Sequence, residues 1–339
     1  MVTAVTGASG HIGGNLVRAL LAQGRRVRCL VRGDRRALQG LDVEQIEGDI
    51  FDPDSLQRLL AGAETVFHLA ARISIVGAEG GLVARTNVEG VRNVVEACLK
   101  RGIRRLVHCS SIHAFSSHPR DQTIDETRAL ALGPEHMPYD RSKAMGQALV
   151  LEAVRRGLDA VVINPTAVIG PHDYKPSRMG QVMLEIYHRR LPVLIDGGYN
   201  WVDARDVARG ALAAEARGRT GECYLLSGHW VHIRDLSRLI GRLTGRRTPQ
   251  AAAPLWLAYP ASLVSLAWGR LLGKTPKFTP AAVRSVRMHR YVSHAKAARE
   301  LGYQPRPFEQ TVSETLEWFR EAGLLDEAEP RLSLDSVSP

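Results

Sequence analysis

The chain has 339 residues, 45% hydrophobic and 24% charged, a balance that excludes disordered and fibrous classes and allows a sizeable core. Its length suits a nucleotide-binding domain plus a smaller lobe. The formal net charge of +10 raises nucleic acid as a partner, but 39 arginines and six lysines run from Arg18 to Arg331 without one dominant block, so none is expected.

In chain order, β-rich runs at Thr3–Thr6, Arg26–Val31, Val43–Ile46, Thr65–Ala70, Arg105–Ser110 and Ala160–Asn164 alternate with helical periodicity over Gly13–Gln23, Asp54–Leu60, Val83–Arg101 and Ser142–Arg156. Such alternation needs right-handed crossovers, which predict an α/β fold with a doubly wound parallel sheet. The polar segment Pro171-His172-Asp173-Tyr174-Lys175-Pro176 cannot continue a strand and opens a second, mostly helical lobe. One helix over Trp201–Arg217 and one strand over Gly221–Ser227 then return to the sheet. The expected division is 1–170 with 201–227 for the nucleotide, 171–200 with 228–325 for the substrate, and 326–339 as a flexible tail. Pro254–Leu272 is the most apolar stretch, but Pro260 and Arg270 interrupt it. Two packed helices are expected there, not a stable membrane insertion, with weak peripheral association left open.

Cys29, Cys98, Cys109 and Cys223 form no C-x-x-C and lack paired histidines at metal spacing, which predicts neither a metal site nor a disulfide framework. Reduced thiols fit a soluble, cytoplasmic protein. The strand beginning at Met1-Val2-Thr3 leaves no export signal to expect.

Thr6-Gly7-Ala8-Ser9-Gly10-His11-Ile12-Gly13-Gly14 lies between the first strand and the first helix. Glycines there let the backbone approach a pyrophosphate, and the helix start favours the anion. At the end of the second strand, where an acid normally receives the ribose hydroxyls of NAD, stands Arg32. The cations of Arg32-Gly33-Asp34-Arg35-Arg36 suit a 2′-phosphate, and Asp34 comes two positions late. NADP(H) is therefore preferred, with NAD(H) possible.

Tyr139 and Lys143 stand one helical turn apart, so both project from one face. An ammonium beside a phenol stabilises phenolate and lowers the tyrosine pKa toward working pH, which readies it for the alcohol proton in hydride transfer. Ser110 and Ser111 emerge at the carboxyl edge of the fifth strand, with Ser111 as the orienting donor. His113 is either a substrate contact or a structural histidine.

Together with His68-Leu69-Ala70-Ala71, Asn87-Val88-Glu89-Gly90 and Asn164-Pro165-Thr166-Ala167-Val168-Ile169-Gly170-Pro171, these motifs resemble the extended short-chain dehydrogenase/reductase family, also called the NAD(P)-dependent epimerase/dehydratase family. Within it the chain looks most like the dihydroflavonol 4-reductase and hopanoid-associated sugar epimerase branch, over roughly residues 1–322. The resemblance implies a Rossmann-type domain with a small substrate lobe. It assigns the pyrophosphate to Gly7, Gly10 and Gly13, the adenosine ribose to Ser9 and Arg32, the adenine to Asp49 and Ile50, and the cofactor floor to Ala70 and Ala71. It puts Lys143 on the nicotinamide ribose and Pro165, Thr166 and Val168 at the carboxamide. His11, Ile12, Leu69, Asn87, Ser110 and Tyr139 complete that cofactor set.

Ser111, Tyr139 and Lys143 are the expected catalytic set, and Ile73, Ser74, His113 and Tyr174 the candidate substrate contacts, with Ile75 and Val76 extending an apolar wall. Dehydratase relatives carry an acid where His113 stands, which argues against dehydration. The leading expectation is an NADP(H)-dependent oxidoreductase for a carbonyl or alcohol of a mid-sized, partly apolar small molecule. The alternative is a nucleotide-sugar epimerase with tightly held cofactor, in which Arg284, Arg287 and Arg290 would clamp a diphosphate. A non-catalytic dinucleotide sensor is disfavoured, since that class usually loses the Tyr or the Lys. Resemblance also implies a homodimer through the helices at Val83–Arg101 and Ser142–Arg156.

Overall fold

The strand–helix alternation builds one large sheet from parallel strands β1 (Val2–Thr6), β2 (Arg26–Val31), β3 (Glu44–Glu47), β4 (Ala63–His68), β5 (Arg105–Cys109) and β6 (Ala160–Pro165). β5 and β6 are buried at every position, as strands covered on both faces must be. The computed structural model describes residues 2–74, 77–191, 193–271, 279–286 and 288–325. Ile75, Val76, Arg287 and the tail at 326–339 lie outside the described residues.

Cover comes from α1 (His11–Ala22), α2 (Pro53–Leu60), α3 (Leu82–Ala84), α4 (Gly90–Arg101) and α5 (Pro138–Arg155). The helix expected over Val83–Arg101 runs as α3 and α4 joined without a break by one π-helical turn at Arg85–Glu89. The small strand β7 (Ala167–Ile169) and α6 (Arg178–Tyr187) then begin the second lobe, followed by β8 (Leu194–Ile195) and β9 (Gly198–Asp203). α7 (Ala204–Arg217) and β10 (Cys223–Leu226) return to the large sheet, whose order is β10-β6-β5-β4-β1-β2-β3. The chain thus runs outward from β1 on one side and resumes on the other, and the crevice at the carboxyl ends of β1 and β4 is the ligand position for such sheets.

Trp201–Asp203 departs from the helix expected over Trp201–Arg217. These residues end β9, which pairs with β7 and with β11 (His229–His232) in a three-stranded sheet. Trp201 is fully buried there, its indole N–H donating to the Val231 carbonyl at 3.1 Å, and Asp203 caps α7 by accepting from the Arg205 amide at 2.8 Å. The rest of the lobe comprises α8 (Ile233–Thr244), β12 (Ala252–Ala253), α9 (Leu255–Leu271), α10 (Pro280–Ser285), α11 (Ala295–Leu301) and α12 (Phe308–Glu321). Where two packed helices were expected at 254–272, α9 is one element with Pro260 inside it. Among the described residues no helix is long and apolar enough to cross a membrane.

One apolar layer joins α1, α7 and α11 to the sheet through Leu16, Leu20, Ala211 and Leu301, and a second joins α2, α4 and α5 through Leu59, Val94 and Val150. A third core fills the small lobe around Ile169, Met183, Trp201 and Phe319. The large sheet is held rigid from both sides, and the site sits at its edge.

Candidate active site

Gly7 follows β1 with φ at 71°, a backbone region that glycine enters freely. A Cβ on Gly7 would lie 2.6 Å from the Ala70 amide nitrogen, and one on Gly13 would lie 2.1 Å from the Gly7 carbonyl oxygen. Only glycine leaves this turn open. Gly10 is the N-cap of α1 and supplies no side-chain cap, so the first helical amides face the crevice with their partial positive charge. The hydroxyl of Ser110, buried beside this cradle, has no partner among the described residues. An uncapped helix start, an open glycine turn and an orphaned donor fit a bound dinucleotide.

A cleft of about 410 Å³ extends from the cradle between the two lobes. Gly7, Gly10, His11, Ile12, Gly13, Leu69, Ala71, Ser110, Pro165, Thr166 and Val168 of the expected cofactor set line it, as do Ser111, Tyr139, Lys143, Ile73, Ser74 and His113. Ser9 is partly exposed in the turn before α1, and Ala70 packs against the Gly7 turn. At the outer rim the Arg32 guanidinium donates to Asp49 at 3.1 Å, while Ile50 is buried behind them. Asn87 is a brace: its side chain holds both the amide and the carbonyl of Arg72, at 2.8 and 2.9 Å, and donates to the Ser142 hydroxyl at 2.9 Å. Tyr174 turns away from the cleft. Its ring packs against Trp318 and its hydroxyl accepts from Arg18 at 3.0 Å, because the small-lobe core offers it more apolar contact than the cleft does.

Lys143 is buried, and its ammonium donates to the Cys109 carbonyl at 3.0 Å. Burial brings its pKa down to about 8, so it keeps most of its charge at neutral pH. Tyr139 follows the opposite course from the expected lowering. Burial pushes the phenol well above its ordinary value, only partly offset by a hydrogen bond with the Ser111 hydroxyl, and the neighbouring Asp140 pushes the same way.

Sequence reasoning missed three parts of this site. Asp140, adjacent to Tyr139 and buried, pairs with Nδ1 of His113 at 2.9 Å. His289, from beyond α10, lies edge-on to His113 with ring centroids 4.8 Å apart and also lines the cleft. Asn164 donates to the Ser111 carbonyl at 2.9 Å and to Gln147 at 2.8 Å, tying β6 and α5 to the serine. Asn164 stood in a quoted motif, whereas no local pattern marked Asp140 or His289.

Beneath the site, His68 hydrogen-bonds the Thr6 hydroxyl at 2.6 Å and stacks on His108 at 5.3 Å. Burial, helped by the charge of Lys143, lowers the His68 pKa to about 3 and holds His108 well below its ordinary value. An imidazole that stays neutral when folded but protonates when unfolded costs stability as pH falls below about 6.5. From about pH 6.5 toward 3, His68 alone therefore contributes a loss of about 1.4 kcal/mol per pH unit. Urea midpoints should fall steadily over that range and fall less steeply in His68→Asn, where His108 keeps its own share; a midpoint indifferent to acid would contradict the buried neutral pair.

The family model described as "NAD dependent epimerase/dehydratase family" matches residues 3–226. "Sterol demethylase protein B" of Methylococcus capsulatus is 35% identical over 330 residues, covering 96% of this chain and 100% of that protein. "Putative dihydroflavonol 4-reductase" of Synechocystis is 33% identical over 325 residues, covering 94% of each. The crystal structure of gox2253 superposes with a TM-score of 0.82 at 34% identity, over 96% of this chain and 99% of that one.

Proposed function

Because the chain belongs to the NAD-dependent epimerase/dehydratase family of oxidoreductase-type enzymes, we propose that it is an NADP(H)-dependent reductase of a carbonyl on a mid-sized, partly apolar molecule. The observation that carries this reading is the meeting of Ser111, Tyr139 and Lys143 on the wall of the cleft that begins at the glycine cradle. The uncapped start of α1 would hold the pyrophosphate and Lys143 the nicotinamide ribose. Bound there, the cofactor supplies or accepts a hydride at its nicotinamide.

The chain's own work is proton transfer and placement. A phenol pushed up by burial stays protonated at neutral pH, which suits donation from the Tyr139 hydroxyl to a carbonyl oxygen as that oxygen gains negative charge. Ser111 holds the phenol in line, and Asn164 holds the backbone of Ser111. His113, fixed by Asp140, faces the same cleft and contacts substrate. Ile73, Met137, Met179 and Met288 give the cleft its apolar character. Oxidation of NADPH, followed by absorbance across aromatic ketones, steroids and nucleotide sugars, tests the reading; interconversion of nucleotide sugars with no net oxidation of NADPH would favour the epimerase. Of the three arginines expected to clamp its diphosphate, Arg284 stacks on Tyr259 and Arg290 on Trp230, away from the residues that line the cleft, and Arg287 lies outside the described residues.

NADPH should bind at least about tenfold more tightly than NADH, since charge-assisted bonds to a 2′-phosphate are worth about 1.5–3 kcal/mol. Arg32, Arg35 and Arg36 cluster at the rim, and Asp34 is drawn off by two hydrogen bonds from Arg36, at 2.9 and 2.6 Å. Dissociation constants measured by fluorescence decide it, and equal affinities would sink the preference. We further propose a homodimer through α4 and α5, where Met145 is an exposed large hydrophobic residue on α5. Light scattering should give twice the chain mass; a monomer would remove this interface.

A further inference from the structure

The small lobe reaches back over the start of α1 through the segment between β7 and α6. Asp173 is buried there; one carboxylate oxygen accepts from the Ser177 amide at 2.7 Å and lies 3.9 Å from Nδ1 of His11, the first residue of α1. One residue on, the Tyr174 hydroxyl accepts from Arg18 of α1 at 3.0 Å. The same guanidinium donates to the Ala37 carbonyl at 2.9 Å, in the turn at Arg36–Leu38. Residues 173 and 174 are thus pinned to α1, and through Arg18 to the arginine-bearing rim.

Lys175 follows them, exposed, and lines the cleft together with Gly7, Gly10 and Gly13. Its charge also reaches Asp34: that carboxyl is drawn down to about 2 chiefly by hydrogen bonds from Arg36, with a smaller contribution from Lys175. The ammonium, on a flexible four-carbon stem, therefore stands between the glycine cradle and the rim at residues 32–36. Other charges along the lining are already engaged. Asp173, the one acid among the described lining residues, is held by the Ser177 amide, and Lys143 donates to the Cys109 carbonyl. Lys175 has neither a hydrogen bond nor an ion pair among the described residues. A cation carried to this place by a rigid segment fits a phosphate that arrives with the ligand. A dinucleotide puts its pyrophosphate at the cradle and a 2′-phosphate at the rim, where the Asp34 carboxylate would repel it without a further cation.

We propose that Lys175 of the small lobe binds a phosphate of the dinucleotide, so that both lobes hold the cofactor. The assignment rests on the reading of the cleft as a dinucleotide site.

Lys175→Met keeps the stem and removes the charge. It should raise the NADPH dissociation constant about tenfold, the worth of one charge-assisted hydrogen bond, with the loss shrinking as salt rises. Lys175→Glu should cost about a hundredfold, and Lys175→Arg should stay within about threefold of the parent, because the effect follows charge. A residue that merely shaped the segment would not sort its variants this way. Fluorescence titration with NADPH and NADH identifies the phosphate: equal losses put the lysine on the pyrophosphate, and a loss confined to NADPH puts it on the 2′-phosphate. Unchanged affinity for both dinucleotides in Lys175→Met and Lys175→Glu overturns the proposal, as does a loss in Lys175→Arg as large as that in Lys175→Met. Melting temperatures without cofactor should match the parent's, since the side chain is exposed, and they report that each variant is folded. A parent that binds neither dinucleotide is a different failure: it ends the dinucleotide reading, and this assignment with it, before any variant is made.

Discussion

Tyr139→Phe should lower kcat by about a thousandfold or more while NADPH affinity stays within about twofold, because it removes one proton-donating oxygen and leaves the ring, Lys143 and the glycine cradle in place. The phenylalanine ring fills the same space, and the structure gives Tyr139 no backbone-binding role for its hydroxyl; the hydroxyl meets Ser111. The Tyr139 carbonyl, which accepts from Ser142 at 2.7 Å, is untouched, so the start of α5 keeps its geometry. Lys143 keeps its bond to the Cys109 carbonyl. Stopped-flow reduction of the best substrate separates chemistry from product release, and fluorescence titration gives the affinity. Activity within tenfold of the parent would remove Tyr139 from the mechanism. Loss of NADPH binding would make it a structural residue instead.

Tyr139 and its surroundings differ in how far the sequence shows them. The glycine turn, the strand–helix alternation and the one-turn spacing of Tyr139 and Lys143 are local patterns, and each needs only a few neighbouring residues to have physical meaning. The parallel sheet followed from them because crossover connections leave few other ways to bury apolar strands such as β6. What local pattern could not supply was pairing between distant segments. His113 and Asp140 are 27 residues apart and meet only because α5 packs against the end of β5, and His289 arrives from beyond α10. Tyr174 shows the converse: its position in the loop after β7 points to the cleft, yet its ring packs on Trp318, 144 residues further on. The ionisation of Tyr139 also depended on the fold. A lysine one turn away implies a lowered phenol pKa, but burial raises it and only the Ser111 hydrogen bond opposes, which keeps the proton on.

Gly13→Ala is expected to raise the NADPH dissociation constant by at least about a hundredfold, the second large effect, and it works through backbone geometry rather than through a lost side chain. The added Cβ would sit 2.1 Å from the Gly7 carbonyl oxygen and 2.8 Å from the Ala8 Cα, and both obstacles are main chain that cannot rotate aside. The turn between β1 and α1 must therefore open. Gly10, whose amide donates to the Gly7 carbonyl at 3.0 Å, would move with it, carrying the first amides of α1 away from where an anion sits. A shift of about 1 Å there is enough to cost two powers of ten, because helix-end amides act only at hydrogen-bond distance. The sheet should survive, since α1 remains anchored through Leu16 and Leu20, so melting temperature falls by a few degrees while far-ultraviolet dichroism is kept. Calorimetric titration with NADPH against the folded variant decides the matter. Parent-like affinity would mean that the nucleotide does not use this turn, and the assignment of the cleft as a dinucleotide site would fall with it.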